Sequence, residues 1–251
     1  MKYAMMFFEP DKDIASAKKA WQVLGDKVII MGVIYYCKDF MDISAETIDE
    51  LKKYLPLQRR EKYEKYMFDK NKKECMLSYL LLRKCIFDEH DIDISGIDFA
   101  FGQYGKPYIS ELKHICFNIS HSDNCVVCAL SGIPVGVDVQ NIQAAKEDIC
   151  EMVLSDKENI IVFSNSSLAG SRFTMFWTLK EAYGKCIGKG LGVKFSGLDF
   201  SSLSKNGGCT DGLFLKSWNI GGSWIAICSE RYDEWKLSKI SVFDLIRNCH
   251  Q

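Results

Sequence analysis

Residues 176–185 read FWTLKEAYGK and place Trp177, Glu181 and Lys185 four apart, in one column of a helix. The simplest account is a core anchor beside an exposed i,i+4 ion pair, worth ~0.2–0.5 kcal/mol. The same column can also aim a carboxylate and a cation at a phosphate, provided a second acid joins them from elsewhere. Residues 135–140, VGVDVQ, offer that acid. A period of two sets Val135, Val137 and Val139 on one face of a strand and Gly136, Asp138 and Gln140 on the other. The valines read as core. The opposite face shows an acid and an amide beside a glycine that permits close approach; alone, it is simply an exposed strand face. Asp138 and Glu181 together supply hard oxygen ligands of the kind Mg²⁺ takes alongside water and substrate phosphates.

The surrounding pattern must position these two segments. KVIIMGVIYYCK (27–38) is rich in β-branched and aromatic residues and reads as a strand. Helices are expected over 45–54 and 57–68, and ECMLSYLLLRKCIF (74–87) is the most apolar helix of the first half. FGQYGKPYIS (101–110) carries turn chemistry at Gly105 and Pro107, with Lys106 held extended between them. CFNIS (116–120) and CVVCAL (125–130) read as strands joined by a turn at HSDN. Ser155 and Glu158 form a capping box, SNSSLAGS (164–171) a loop, and the motif helix spans 173–187. GKGLG (188–192) follows that helix instead of opening one and lacks the G-x-x-x-x-G-K-[ST] pattern, so it reads as a C-cap and turn. From Leu213 to Val242 the chain alternates like antiparallel strands, with IGGS as a hairpin turn. The expected class is α+β with mainly antiparallel sheet.

Composition narrows the function. The 251 residues are 47% hydrophobic and 26% charged with a net charge of −1, which gives no global pull toward nucleic acid or an anionic membrane. The apolar run Tyr3–Phe8 is too short for a signal peptide, and no later run approaches a membrane span. Eleven cysteines without framework spacing indicate unpaired thiols in a reducing cytoplasm. Cys125 and Cys128, three apart on a strand, face opposite sides and cannot share a metal or a short disulfide. RREKYEKYMFDKNKKE (59–74) carries seven basic and four acidic residues, a solvated helix pair on composition alone.

GVDVQ, followed about forty residues on by FWTLKEAYGK, resembles the paired signature of the 4′-phosphopantetheinyl transferases of the surfactin-synthetase-activating type. YGKPYI (104–109), FNISHS (117–122) and GKGL after the motif helix are similar to further segments of that family, in the same order. The resemblance implies two pseudo-symmetric subdomains, 1–134 and 135–251, with the active site in the cleft between them. It implies transfer of phosphopantetheine from coenzyme A to a serine of an apo acyl or peptidyl carrier protein, with Mg²⁺ required and adenosine 3′,5′-bisphosphate released. Asp138 would then be the primary Mg²⁺ ligand. Glu181 would be a second ligand and also able to take the serine proton, and Lys185 would meet the pyrophosphate. Ser120, His121, Gly105, Lys106 and Pro107 fall where the family contacts coenzyme A, and Arg59 and Lys62 match its phosphate-binding basic residues. Trp177 packs the helix; Lys180 matches the motif with no role assigned.

Two positions depart from the family pattern. Gln140 replaces the second acid of the strand motif and would ligate the metal through its amide oxygen or hold a metal-bound water. Glu74 stands where the family has an arginine that grips the 3′-phosphate, with Lys73 or Lys72 as the nearest substitutes. These two favour a competing reading, a family member that binds coenzyme A or a carrier protein without transferring anything. A more distant alternative is a Mg²⁺-dependent nucleotide hydrolase.

Overall fold

The computed structural model describes residues 32–204, 206–231 and 234–247. The apolar N-terminal run and positions 27–31 of the first expected strand lie outside them. Strand β1 is Gly32–Lys38, followed by short helix α1, Ala45–Glu50, whose cap Ser44 accepts from the Thr47 amide. The expected helix over 45–54 tightens to 3₁₀ geometry at Leu51–Tyr54. Helix α2, Leu57–Glu64, leads into α3, Asp69–His90, which is longer at both ends than its apolar stretch 74–87 suggested. Asp91, in the left-handed region with φ 57°, ends it.

Strands β2 (Ala100–Phe101) and β3 (Pro107–Tyr108) make a small ribbon around the turn at Gly105, whose φ is 78°. Strands β4, Cys116–Ser122, and β5, Cys125–Ser131, form a hairpin tighter than the expected HSDN turn, so His121 and Ser122 lie on β4 itself. Next come β6 (Val135–Asn141), α4 (Glu147–Val153), α5 (Asp156–Phe163) and the motif helix α6 (Ala169–Cys186). The capping box at Ser155 and Glu158 is formed as expected, whereas α6 begins inside the segment read as a loop. Strands β7 (Gly208–Thr210), β8 (Leu213–Asn219), β9 (Ser223–Ser229) and β10 (Trp235–Lys239) precede the final helix α7, Val242–Arg247.

The long strands build two four-stranded sheets, ordered β10-β1-β5-β4 and β6-β9-β8-β7. All pairings are antiparallel except β1 with β10, which run parallel. The tail therefore does not continue its own sheet, as its alternation suggested; β10 returns to the first one.

Period-two patterning divides the core. Val126, Cys128 and Leu130 of β5 face α3, while Cys125, Val127 and Ala129 face a second cluster shared with Val135, Val137 and Val139 of β6. Cys125 and Cys128 thus lie on opposite faces. A third cluster packs α6 on the other face of the second sheet through Phe173, Phe176, Leu179 and Ala182. Each fully buried valine of β6 contributes about 1.5–3 kcal/mol, which fixes the register that carries Asp138.

The two sheets meet along β4 and β6 through side chains. Asn118 Oδ1 accepts from the Val137 amide at 2.8 Å, Ser120 Oγ donates to Asp138 Oδ1 at 2.7 Å, and Ser122 Oγ lies 3.4 Å from Asn141 Oδ1. Three alternate residues of β4 hold β6 beside it. Among the described residues no helix is long and apolar enough to cross a membrane.

Candidate active site

Helix α6 can reach β6 only because residue 136 is a glycine. A Cβ there would stand 2.1 Å from the Ala182 carbonyl oxygen and 2.3 Å from the Cys186 nitrogen, both backbone atoms of α6. This contact covers the strand face that would otherwise be exposed, and Asp138 is only 2% exposed beneath it. Glu181 and Lys185, four apart on α6, face the same ground.

Asp138 is the centre of the cluster. Its Oδ1 accepts from Lys185 Nζ at 2.6 Å and from Ser120 Oγ at 2.7 Å, and Lys185 also reaches Ser120 Oγ at 2.8 Å. Its Oδ2 accepts from Gln140 Nε2 at 3.0 Å. Lys185 therefore spends its charge on Asp138 of the strand its helix covers, and reaches across the seam only to Ser120. Burial first, then the nearby Asp138 carboxylate, pushes the Glu181 carboxyl above the ordinary glutamate range, and Lys185 offsets part of this.

His121, half exposed and on the opposite face of β4 from Ser120, has Nδ1 3.3 Å from Glu74 Oε2 on α3. Glu74 is itself buried. Beyond it Lys70 pairs with Asp123.

The structure thus brings together Ser120, Asp138, Gln140, Glu181 and Lys185, while His121 turns to α3. The remaining expected residues go elsewhere. Arg59 donates to the Cys75 carbonyl at 3.1 Å and lies over the rings of Tyr79 and Phe99, packed into the first core. Lys73 donates to the Met41 carbonyl, and Lys62 is exposed on α2. Lys106 turns inward to the carbonyls of Val135 at 2.8 Å and Cys186 at 3.4 Å, and burial pulls its pKa below the ordinary lysine range. Its ammonium joins the start of β6 to the end of α6. A hollow of about 430 Å³ beside Lys72 and Lys73 is also lined by Glu46, Asp49, Glu50 and Asp69, an acidic balance that disfavours phosphate.

Sequence reasoning left Asn118 without a role, although its i,i+2 spacing to Ser120 puts both on the face that meets β6.

Two family models cover most of the chain. One, the 4′-phosphopantetheinyl transferase superfamily, matches residues 134–230, and one for the N-terminal part of 4′-phosphopantetheinyl transferases matches 43–132. The chain belongs to the 4′-phosphopantetheinyl transferase superfamily. It is 34% identical to 4′-phosphopantetheinyl transferase gsp of Aneurinibacillus migulanus over 151 residues, 60% of this chain and 63% of that protein. It is 29% identical to a 4′-phosphopantetheinyl transferase of Bacillus subtilis over 206 residues, 77% of this chain and 91% of the relative. Sfp of Bacillus subtilis strain 168 is 29% identical over 157 residues, 61% and 70% of the two chains.

The boundary between the two matched regions falls at the β5–β6 turn, just before the strand that forms one side of the seam. In this phosphopantetheinyl transferase Gln140 turns its amide nitrogen to Asp138, so its oxygen is the end free to meet a cation or its water. Glu74 holds His121 and offers nothing cationic itself.

Proposed function

We propose that this transferase moves 4′-phosphopantetheine from coenzyme A to a serine hydroxyl of an apo acyl or peptidyl carrier protein in a reducing cytoplasm, with Mg²⁺ required. The observation that carries the reading is the convergence of Asp138, Ser120 and Lys185 with Glu181, drawn from two strands and a helix onto one buried point. The donor set supports Mg²⁺. Asp138 and Glu181 are two carboxylates under mutual repulsion, and Gln140 adds a neutral oxygen, the hard ligands this ion takes together with water and phosphate oxygens. When bound there, the ion would neutralise charge on the pyrophosphate.

The chain's own groups divide the remaining work. The serine oxygen bonds to the β-phosphorus, and the bond from that phosphorus to the bridging oxygen breaks. The departing adenosine 3′,5′-bisphosphate takes the electron pair. Glu181, whose raised affinity for a proton suits a base, receives the hydroxyl proton. Lys185 holds positive charge beside the leaving oxygen, and Ser120 and His121 orient phosphate groups along β4. The test is incubation with coenzyme A, Mg²⁺ and several apo carrier proteins, followed by weighing the carriers intact. A gain of one phosphopantetheine group is expected on at least one of them, and no gain on any would end the reading. Binding of coenzyme A without a gain would support the non-catalytic alternative that Gln140 and Glu74 favour.

Gln140→Glu should make the protein more dependent on Mg²⁺. A glutamate loses the donor that Gln140 gives Asp138 and adds a third negative charge to the site. The variant should melt below wild type without Mg²⁺ and gain more from its addition, through mass action on the folded state. Equal melting shifts in both proteins would contradict this.

Dephospho-coenzyme A should serve as donor with kcat/KM within about tenfold of coenzyme A, because Glu74 gives the 3′-phosphate no charge-assisted hydrogen bond, each of which is worth ~1.5–3 kcal/mol or roughly 10–150-fold. A loss beyond about tenfold would show that the phosphate is gripped by a cation despite Glu74, and one beyond about 150-fold that several take part.

A further inference from the structure

Lys180 lies in the motif helix next to Glu181, yet the chemistry above does not use it. Its side chain is 0% exposed, as is that of Glu158, whose Oε2 it meets at 2.6 Å. Its other two N–H groups donate to the carbonyls of Phe195 at 2.8 Å and Leu198 at 2.7 Å. The ammonium is saturated. So is the carboxylate: Oε2 also accepts from the Ser155 amide at 2.8 Å, completing the cap of α5, and Oε1 accepts from the Phe200 amide at 2.8 Å. One ion pair therefore ties together the start of α5, the 195–200 segment and the middle of α6.

Stability is a weak account of such a pair. Removing two ions from water is costly, and apolar side chains of similar volume often serve as well. A fully bonded pair supplies direction, which a methionine does not.

Direction matters at this position. Successive helical residues point about 100° apart, so fixing Lys180 fixes Glu181. The spacing of α6 from β6 is set by Gly136, and Phe173, Phe176, Leu179 and Ala182 pack one face of the helix, but apolar contacts fix its roll less sharply than directional hydrogen bonds. With a carboxyl about 6–7 Å from the axis, a roll of about 10° moves it by about 1 Å.

We propose that the Lys180–Glu158 pair is a positioning device for the transfer reaction, fixing the roll of α6 so that Glu181 faces Asp138. The inference rests on the transferase reading of the site. It assigns Lys180 and Glu158 no contact with substrate.

The test compares wild type, Lys180→Met, Glu158→Gln and the double variant Lys180→Met/Glu158→Leu as full-length proteins. Melting temperature, kcat, KM for coenzyme A and the affinity for Mn²⁺, read by water-proton relaxation, are measured for each. Lys180→Met leaves a buried carboxylate unpaired and should melt well below wild type, and the double variant should recover most of that loss. Despite its recovered fold, the double variant should lose about 100-fold in kcat at nearly unchanged KM, and about tenfold in Mn²⁺ affinity. A folded double variant with wild-type kcat and wild-type Mn²⁺ affinity would overturn the proposal. Should the double variant not fold, Glu158→Gln assayed well below its melting temperature decides: about a tenfold fall in kcat is expected, and none would overturn it. Wild type that loads no carrier protein would instead sink the transferase reading, and the Mn²⁺ affinities would still report whether the pair aligns the two carboxylates. Absent or equal Mn²⁺ binding in that case counts against the positioning role.

Discussion

Asp138→Asn is expected to slow carrier-protein loading by on the order of 10³-fold while leaving the protein folded. The side chain accepts three hydrogen bonds, from Lys185 and Ser120 on one oxygen and from Gln140 on the other. Asparagine keeps the shape and the first two of these. Its new amide group faces Gln140, whose own amide can turn over to accept from it. Lys185 loses its ionic partner but is 25% exposed and retains Ser120 and solvent, so the melting temperature should fall only modestly. The lost charge is another matter, because phosphoryl transfer rests on positioning and charge stabilisation with little else to compensate. Intact-mass time courses and thermal unfolding on the same preparation separate the two effects. A variant keeping more than about a tenth of the wild-type rate would remove Asp138 from the centre of the chemistry.

Gly136→Ala should damage both fold and activity. The added methyl would meet the Ala182 carbonyl oxygen at 2.1 Å, the Cys186 nitrogen at 2.3 Å and the Cys186 Cα at 2.9 Å. All three atoms are backbone, so no side chain can swing aside and α6 itself must lift from β6. Overpacking of this kind costs about 1–3 kcal/mol, a fall of roughly 2–6 °C in Tm for a chain of this size. Glu181 and Lys185 move with the helix, and a displacement of about 1 Å at a reacting group costs about 100-fold in rate. Gly197→Ala, where nothing lies within 4 Å of the added methyl, is the control and should be nearly silent. Wild-type melting and turnover in Gly136→Ala would mean that the close approach of α6 is not what aligns the site.

Local periodicity carried much of this into the sequence. The alternation of VGVDVQ separates the core valines from Asp138, and the opposite faces of Cys125 and Cys128 follow from the same rule. The capping box at Ser155 is legible because its parts are three residues apart. Long-range pairings were not legible. Nothing local shows that Glu158, besides capping α5, also receives Lys180, or that Lys106 turns toward the Val135 carbonyl. Spacing to a downstream helix placed Arg59 among phosphate-binding candidates, but stacking over Tyr79 and Phe99 depends on which side of α3 the residue meets. The alternation of β10 likewise shows a strand and gives no hint of its neighbour.

That neighbour matters. Because β10 lies beside β1 and Leu245 of α7 sits in the core under α3, the chain crosses from one half to the other twice. Severing it at the β5–β6 turn would not free two modules. The leading piece would keep β5 on one side of β1 but lack β10 on the other, and the trailing piece would carry β10 with no sheet of its own to join. Each is incomplete in the way the other can repair, so co-expressed fragments should reassociate by strand donation, and recovered transfer would report their union.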